Sequence, residues 1–299
     1  MYYLFNNHLE YIMDTEDLKT FLSVAEHLSF SVAAEHIHLT QPAVSKRIAN
    51  LENELHVKLF DRIARKISLT EAGKIFQSRA RTLIHELEVM QSAMQTLQKG
   101  PSGSLALAIS HHLGLHRFPP LLQEYASRYP DVILDVRFVD SERAYDAIIQ
   151  GNVDIAVITL APEPQANVKA HALWDDPLYY VCSENHPLAA LDRPELHDLS
   201  RYGCLLPSLA TYTGRIIKQQ FDSHRLALRP VMTTNYLETL AKMTEIGLGW
   251  SVLPATLLAD SLTVLKIESP LQRQLGVIHH RQRTLSRAAE ALIDILQSS

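Results

Sequence analysis

The stretch between residues 29 and 62 constrains the fold more than any other part of the chain. It reads SFSVAAEHIHLTQPAVSKRIANLENELHVKLFDR and predicts two short helices, a tight turn and a basic hairpin. Thr40 can cap the second helix, and a proline two positions later is tolerated in a first turn that needs no donor. Val44, Ile48 and Leu51 recur at spacings of four and three, as on one buried helix face. An ordinary amphipathic helix pair would explain this periodicity but not the ordered combination around it.

The other face of the second helix is polar and basic. Ser45, Lys46, Arg47 and Asn50 point outward if the apolar residues point inward. A capped helix with such side chains in its first turns can enter a major groove and read base edges. The pattern therefore predicts a helix-turn-helix from Phe30 to Ala49.

Residues 17 to 77 resemble the winged helix-turn-helix domain of LysR-type transcriptional regulators, and the resemblance continues along the remaining chain. The matching residues are Leu18, Phe21, Ser29-Phe30, Ala33-Ala34, Thr40-Gln41-Pro42-Ala43-Val44-Ser45, Leu51-Glu52, Leu55, Leu59-Phe60-Asp61-Arg62 and Leu69-Thr70-Glu71-Ala72-Gly73. The resemblance implies an N-terminal winged helix-turn-helix, a long linker helix and a C-terminal two-lobed periplasmic-binding-protein-like α/β effector domain. It also implies a DNA-binding regulator whose grip on double-stranded promoter DNA is modulated by a small-molecule effector, here expected to be anionic, in the interlobe cleft.

The sequence divides at composition changes into four segments. We expect an N-terminal extension at 1–13, the DNA-binding domain at 14–72, a linker and dimerisation helix at 73–100, and the effector-binding domain at 101–299. The breaker cluster KGPSGS at 99–104 marks the hinge before the last segment. Lobe I is expected at 101–162 and 282–299, and lobe II at 163–281. We also expect Met13 to be the usual start, which intact-mass measurement of native protein would test.

The resemblance places eight residues at the DNA. They are Ser31, Gln41, Pro42, Ser45, Lys46, Arg47, Arg62 and Arg65. The first-turn residues of the recognition helix are expected to probe bases, the arginines to hold phosphates, and Ser31 to contact the backbone. The basic tip lies within an alternating segment from His56 to Leu69, which predicts a two-stranded wing. A solvated charge run would look similar in isolation.

Charge and composition fit a protein that docks DNA through one module. The net charge is −5 over 299 residues, yet residues 44–66 hold six basic against three acidic side chains. Two cysteines exclude a disulfide framework and a CxxC motif, which favours a reducing cytoplasm. Because no apolar run reaches bilayer length and the first twelve residues lack a basic leader, we expect a cytoplasmic protein without a membrane partner.

The segment after the wing predicts one long helix with an apolar seam. Thr70 is a good cap for it. Seam residues at spacings of four and three are Phe76, Ala80, Leu83, Leu87, Met90, Met94 and Leu97. Packing onto the same chain would explain the seam, but a two-fold dimer would also bring two recognition helices to two half-sites. The resemblance implies a homodimer through this helix and a homotetramer of two such dimers.

Strands and helices alternate after the hinge, which predicts a mostly parallel α/β sheet. The predicted strands are Leu105 to Ser110, Val132 to Val139, Val153 to Thr159, Leu178 to Ser183, Cys204 to Leu206, Trp250 to Leu253 and Leu275 to His280. The predicted helices are Phe118 to Tyr129, Glu142 to Gln150, Arg215 to Phe221, Leu237 to Ile246 and Leu285 to Leu296. In such folds ligands bind between lobes, beyond the carboxyl ends of the strands. The residues expected there are His111, His112, Ser141, Pro207, Ser208, Thr211 and Asn235. A helix-cap or loop role without a ligand is the alternative for each. His112 departs from the Ser or Thr frequent at its position in the family, which puts the usual inducer contacts in doubt.

Three other functions are less consistent with the sequence. Histidine pairs such as His111-His112 and His279-His280 raise metal sensing, but neighbours in a strand point to opposite faces, so no metal site or cofactor is expected. Cys182 and Cys204 raise thiol redox sensing, but both have apolar neighbours in predicted buried strands. The sequence holds no Walker loop, GxSxG, HExxH or strand-linked GxGxxG, so catalysis by the α/β half is not expected.

Overall fold

The computed structural model describes residues 13–63, 66–95 and 100–298, and the side chains of residues 63 and 92–95 are left aside. The chain divides into two compact units, Met1–Met94 and Gln95–Ser299, each treated by itself below. The predictions on residues 1–12, Arg65, the Met94 side chain and Leu97 fall outside the described part. Within that part, no helix has the length and apolar character that a bilayer span requires.

The first unit is a helical bundle with a two-stranded hairpin. Its elements are α1 (Thr15–His27), α2 (Phe30–His36), α3 (Gln41–Glu54), β1 (Phe60–Ile63), β2 (Lys66–Leu69) and α4 (Glu71–Gln95). Side-chain caps begin the first three helices: Asp14 forms a capping box with Asp17, Ser29 accepts from the Val32 amide, and Thr40 accepts from the Ala43 amide. The helices enclose one apolar core that holds Phe21, Val44 and Ile48.

The start of α4 is fixed to the end of the wing. Thr70 caps this helix as predicted, because its hydroxyl accepts a hydrogen bond from the Gly73 amide at 2.9 Å. The same hydroxyl donates to the Lys58 carbonyl at 2.7 Å. A Cβ on Gly73 would lie 2.1 Å from the Leu59 carbonyl oxygen, so only glycine fits this close approach. The wing and the long helix are therefore joined rigidly.

The seam of α4 has two parts. Phe76 and Ala80 pack into the core of the first unit, and Ala80 is only 1% exposed. Further along, Leu83 and Met90 are 50% and 55% exposed. Packing onto the same chain thus accounts for the first turns of the seam but leaves these two apolar residues uncovered.

The second unit is a two-lobed α/β structure. Its strands are β3 (Gly103–Ile109), β4 (Val132–Phe138), β5 (Ile155–Thr159), β6 (Val168–Ser183), β7 (Cys204–Leu206), β8 (Pro230–Thr233), β9 (Trp250–Pro254), β10 (Leu262–Val264) and β11 (Leu271–His280). Its helices are α5 (His111–His116), α6 (Phe118–Arg128), α7 (Ser141–Gln150), α8 (Leu196–Leu199), α9 (Tyr212–Ser223), α10 (Leu237–Glu245) and α11 (Arg287–Gln297). Most of the predicted elements are found within a few residues of their expected bounds.

The strands form one sheet in the order β4-β3-β5-β11-β6-β9-β7-β8, with β10 pairing β6. Pairing is parallel within β4-β3-β5 and within β8-β7-β9, but antiparallel wherever β6 or β11 takes part. Lobe I is built on β4-β3-β5 and lobe II on β8-β7-β9, each with its own apolar core. The sheet is therefore mixed, with a parallel set in each lobe.

Strands β6 and β11 connect the lobes and are longer than expected. We predicted β6 from Leu178 and β11 from Leu275, but they begin at Val168 and Leu271. The extra residues pair with each other in an antiparallel ladder from Leu271↔Leu178 to His280↔Val168. Leu275 and Val277 lie in the core of lobe I although the sequence assigned them to lobe II. The difference arises because these strands belong partly to both lobes.

Candidate nucleic-acid interface and effector cleft

The outer face of α3 is open over its first turns. Gln41, Pro42 and Lys46 are exposed, and Ser45 is half-buried beside them. The helix turns its other side, with Val44 buried, to the core. The predicted base-probing residues thus share one accessible face of a capped helix. Ser31 is also exposed, on α2, and Ser29 rather than Ser31 caps that helix.

A buried carboxylate fixes the turn between α3 and the wing. Glu52, with its side chain 3% exposed, accepts hydrogen bonds from the amides of Leu59 at 2.9 Å and Phe60 at 3.2 Å. Lys58 Nζ lies 2.8 Å from its other oxygen. Burial alone would raise the pKa of Glu52, but these hydrogen bonds lower it below the ordinary value. The ionised carboxylate thus holds the first strand of the wing against the recognition helix.

Of the three arginines predicted to hold phosphates, Arg47 and Arg62 are described by the structure, and they differ in exposure. Arg62 is exposed on the wing, and its guanidinium carbon lies 4.3 Å from the centre of the Phe30 ring. Arg47 is half-buried, with Nη1 3.9 Å from Asp17 Oδ1 of α1. That nitrogen is buried and has no hydrogen-bond partner among the described residues. Arg47 therefore faces α1 in part, which the outward-facing prediction did not foresee.

Six of the seven predicted effector residues line one cavity between the lobes. They are His111, His112, Ser141, Pro207, Thr211 and Asn235. Ser208 does not line it, and instead donates its amide to Asn235 Oδ1 at 3.1 Å. The cavity measures about 60 Å³, below the roughly 300–1,000 Å³ of ordinary ligand pockets. The cleft as it stands is therefore closed around a small space.

A groove of about 990 Å³ lies elsewhere on lobe II, lined by residues 192–197, 224, 226 and 266–269. None of the predicted effector residues lies there. The small cavity is the better candidate site, because buried polar and charged side chains from both lobes converge on it.

Contacts across the cleft hold the two lobes together. Asn235 donates to Asp140 Oδ2 at 2.9 Å, joining the start of α10 to the start of α7. Glu142, in the first turn of α7, accepts a hydrogen bond from the amide of Tyr212, the first residue of α9. Ser141 stays within lobe I and accepts from the Thr159 amide at 3.1 Å. Asp140 and Glu142 were not predicted as cleft residues from the sequence. Asp140 immediately precedes α7, and Glu142 lies in its first turn.

The predicted histidines contact an acidic residue that was not predicted from the sequence either. His112 is 6% exposed, and its Nδ1 lies 2.9 Å from Glu238 Oε1 while its Nε2 lies 2.9 Å from Thr256 Oγ1. Burial lowers the pKa of His112, and the hydrogen bond to Glu238 opposes this shift. Burial would raise the pKa of Glu238, but hydrogen bonding to His112 and nearby imidazoles lower it to about 2. His112 is thus a lobe-bridging residue.

A buried cation forms part of the cavity wall. Arg273 of β11 is 6% exposed, and its Nε donates to Asp176 Oδ2 at 2.8 Å and its Nη1 to Thr213 Oγ1 at 3.0 Å. Arg117 approaches the other Asp176 oxygen at 3.3 Å. Arg273 lies two residues from both Leu271 and Leu275 and is buried on the same face of β11. A predicted strand that began at Leu271 would therefore have placed this charge facing inward.

The two cysteines are buried and far apart. Strand β9 separates β6, which holds Cys182, from β7, which holds Cys204. Two strand spacings amount to about 9–10 Å between Cα atoms, whereas disulfides need roughly 4.4–6.8 Å. Burial raises the pKa of each thiol to about 11, so neither is a reactive thiolate. This arrangement gives no support to redox sensing.

Comparison with known proteins decides the family. Residues 15–74 match the model of the bacterial regulatory helix-turn-helix protein, lysR family, and residues 98–299 match the LysR substrate binding domain. The chain belongs to the LysR family. It is therefore a LysR-type transcriptional regulator with a DNA-binding helix-turn-helix and an effector-binding domain, as the sequence predicted.

Individual relatives agree with this assignment. The uncharacterized HTH-type transcriptional regulator YfeR of Shigella flexneri is 30% identical over 286 residues, covering 94% of this chain and 92% of that protein. A full-length OxyR variant from Pseudomonas aeruginosa has a TM-score of 0.75 at 23% identity, covering 98% of this chain and 96% of that one. The effector binding domain of QuiR in complex with shikimate has a TM-score of 0.60 at 20% identity, covering 66% of this LysR-family chain and 96% of that one. At these identities the two structures show the fold alone.

Proposed function

We propose that this regulator binds its promoter through the exposed face of α3, with Gln41, Pro42, Ser45 and Lys46 at the base edges. The observation that carries the proposal is the capped, outward-facing first turn of a helix held rigidly against a basic wing. Arg62 and Arg65 of the wing contact phosphates, and Arg47 does so after leaving Asp17. Ser31, exposed on the preceding helix, contacts the DNA backbone.

Fluorescence anisotropy on the chain's own upstream region, against a scrambled duplex, tests this interface. Gln41→Ala should weaken the specific duplex by about 1–3 kcal/mol and change binding to the scrambled duplex little. Arg62→Ala, the matched charge variant, should weaken both duplexes alike and reduce the salt slope by about one. Equal effects of the two changes on both duplexes would contradict the assignment of roles.

We propose further that a small anionic effector binds in the interlobe cavity, at His111, His112, Ser141, Pro207, Thr211 and Asn235, with Ser208 holding Asn235 in place. Support comes from Glu142, whose carboxylate accepts a hydrogen bond from the first amide of α9, that of Tyr212. An effector carboxylate could replace it there, close to the buried Arg273 that lines the same cavity. The ligand in the similar QuiR domain, shikimate, is also a carboxylic acid.

Because the cavity is small, the effector must open the lobes or displace Glu142 to enter. Binding then shifts the population of lobe arrangements, which changes how the DNA-binding units engage their half-sites. A thermal-shift screen of small carboxylates and aromatic acids tests this. Ser141→Ala and His112→Gln should each abolish the stabilisation by a hit, whereas Arg193→Gln, an exposed arginine in lobe II, should leave it intact. A hit that is insensitive to both cleft changes would place the effector elsewhere.

Dimerisation through α4 completes the proposal. Leu83 and Met90 are apolar, half-exposed and on the predicted seam, as expected of a helix that pairs with a second copy. We infer a homodimer through this helix and a homotetramer of two dimers, acting on DNA in the cytoplasm without catalytic activity of its own. Charged substitutions at Leu87 and Met90 should convert dimers to monomers in sedimentation runs, and an unchanged dimer mass would refute the seam.

A further inference from the structure

We propose that His112, His116 and Glu238 form a binding site for a divalent transition metal ion such as Zn²⁺, at the junction of lobes I and II. The three side chains each offer one ligand atom, and these atoms all lie within 4.8 Å of one another. No other cluster of this kind occurs in the part of the chain that the structure describes. The site does not depend on the proposed effector, because its outer ligands His116 and Glu238 do not line the effector cavity.

The two histidines are placed by their spacing on one helix. They are four residues apart in α5, so their side chains lie next to each other on one helix face. Their ring centroids are 4.7 Å apart. The histidine pairs considered from the sequence were His111-His112, His279-His280 and His36-x-His38, and the four-residue spacing of His112 and His116 was overlooked. The third ligand comes from α10 in the other lobe, so it could not be paired with them from the sequence.

The distances are close to those of a metal site. Glu238 Oε1 lies 2.9 Å from His112 Nδ1 and 3.1 Å from His116 Nε2. Ligand atoms around a tetrahedral ion with bonds of about 2.0–2.1 Å are about 3.3–3.4 Å apart. The two imidazole nitrogens lie within 4.8 Å of each other, so an ion would draw them together while Glu238, with its side chain 25% exposed, moves slightly outward.

Unused ligand capacity lies beside the three groups. Glu238 Oε2 is buried and has no hydrogen-bond partner among the described residues, and the same is true of His111 Nδ1. These two atoms face each other at 3.4 Å. Two buried polar atoms without partners carry a cost that a bound ion would remove.

The surroundings hold the ligands ready. Thr256 Oγ1 lies 2.9 Å from His112 Nε2, so this ring nitrogen can donate to Thr256 while Nδ1 binds the ion, as outer partners of metal-bound histidines do. Imidazole with carboxylate suits Zn²⁺, Ni²⁺ or Co²⁺, whereas Mg²⁺ and Ca²⁺ prefer oxygen ligands alone.

A bound ion would tie α5 of lobe I to α10 of lobe II. Either it stabilises the closed cleft, or it competes with rearrangements that an effector requires. In both cases the regulator would sense the metal through the same lobe movement that the effector uses.

Cobalt titration of the full-length protein tests the site. The protein is stripped with chelator, and Co²⁺ binding is followed by its visible absorption, whose intensity reports coordination by protein ligands; Zn²⁺ competition then gives the affinity. We expect one equivalent to bind. His116→Gln and Glu238→Gln should each weaken binding at least ~10-fold. His36→Gln is the matched control, since His36 also pairs with a histidine, His27, at 4.9 Å between ring centroids but belongs to no metal cluster.

His116 is partly exposed, so its replacement should not disturb folding, which tryptophan fluorescence would check. Unaltered cobalt bands in His116→Gln would overturn the proposal, as would no band in the wild type with excess Co²⁺, or Mg²⁺ displacing Co²⁺ as well as Zn²⁺ does. The measurement uses neither DNA nor effector, so its failure is distinct from failure of the proposed function.

Discussion

The buried ion pair between Arg273 and Asp176 gives the sharpest test of how the effector unit is held together. The two side chains are 6% and 1% exposed and are joined at 2.8 Å. Arg273→Met removes the cation and leaves the buried carboxylate with Arg117 as its remaining partner, at 3.3 Å. Breaking one side of such a pair costs about 3–5 kcal/mol. Because Arg117 stays in reach, we expect a cost of about 3 kcal/mol, the lower end of that range.

The double variant Arg273→Met with Asp176→Leu isolates the pair. Removing both charges relieves the uncompensated carboxylate, and well-packed apolar replacements of buried pairs are often neutral. Most of the loss caused by Arg273→Met should therefore return in the double variant. The coupling free energy from the four-membered cycle should be about 2 kcal/mol or more.

Tryptophan fluorescence during urea unfolding measures this within the full chain. Both tryptophans, Trp174 and Trp250, lie in the effector unit, so the signal reports that unit alone. With a slope of roughly 3 kcal/mol per molar urea, Arg273→Met should lower the midpoint by about 1 M. Arg193→Met, an exposed arginine in the same unit, should not move it. A negligible shift for Arg273→Met, or a double variant whose loss equals the sum of both singles, would refute the reasoning.

Three further outcomes follow from single contacts. Glu52→Ala removes the acceptor of the Leu59 and Phe60 amides, at a cost of about 2 kcal/mol, so hydrogen exchange at these amides should be about 30-fold faster. Unchanged exchange would show that Glu52 does not stabilise the wing. Gly73→Ala places a Cβ 2.1 Å from the Leu59 carbonyl and should cost about 1–3 kcal/mol, seen as faster exchange of wing peptides. Burial lowers the pKa of His279, so the unfolded chain binds its proton first and stability falls as pH drops below about 6.5. His279→Phe should reduce that pH slope by up to about 1.4 kcal/mol per pH unit, and an unaltered slope would contradict it.

The DNA-binding unit could be predicted from the sequence because its signals are local. The Thr40 and Thr70 caps and the apolar face of α3 depend on residues three or four positions apart, and each has the contacts that the sequence indicated. What could not be predicted there depends on packing between elements. The contact of Arg47 with Asp17 requires knowing how α3 lies against α1.

The effector cleft was predicted in outline but without its charged residues. Loops at the ends of strands identified most of the cavity wall, because the α/β alternation fixes which strand ends meet. The polar first half of β6, VKAHALWDDP, lacks the apolar pattern typical of a strand. The first residues of β11 after Leu271 are polar as well, so the predicted strand began only after Arg273. Glu238 was missed because its partners lie more than 120 residues away in the other lobe.

The closed cleft sets a condition on any effector of this regulator. Glu142 with Tyr212, Asp140 with Asn235, and His112 with Glu238 all join one lobe to the other. A ligand with equal affinity for open and closed arrangements would shift nothing, however tightly it bound. An effector must therefore either replace the Glu142 carboxylate and keep the lobes closed, or break several of these bonds and be repaid by contacts that only the open cleft offers. Asp140→Ala separates the two routes, because it removes the bond to Asn235 that only the opening route must break. It should tighten binding of an effector that opens the cleft, and it should not tighten binding of an effector that replaces the Glu142 carboxylate and keeps the lobes closed.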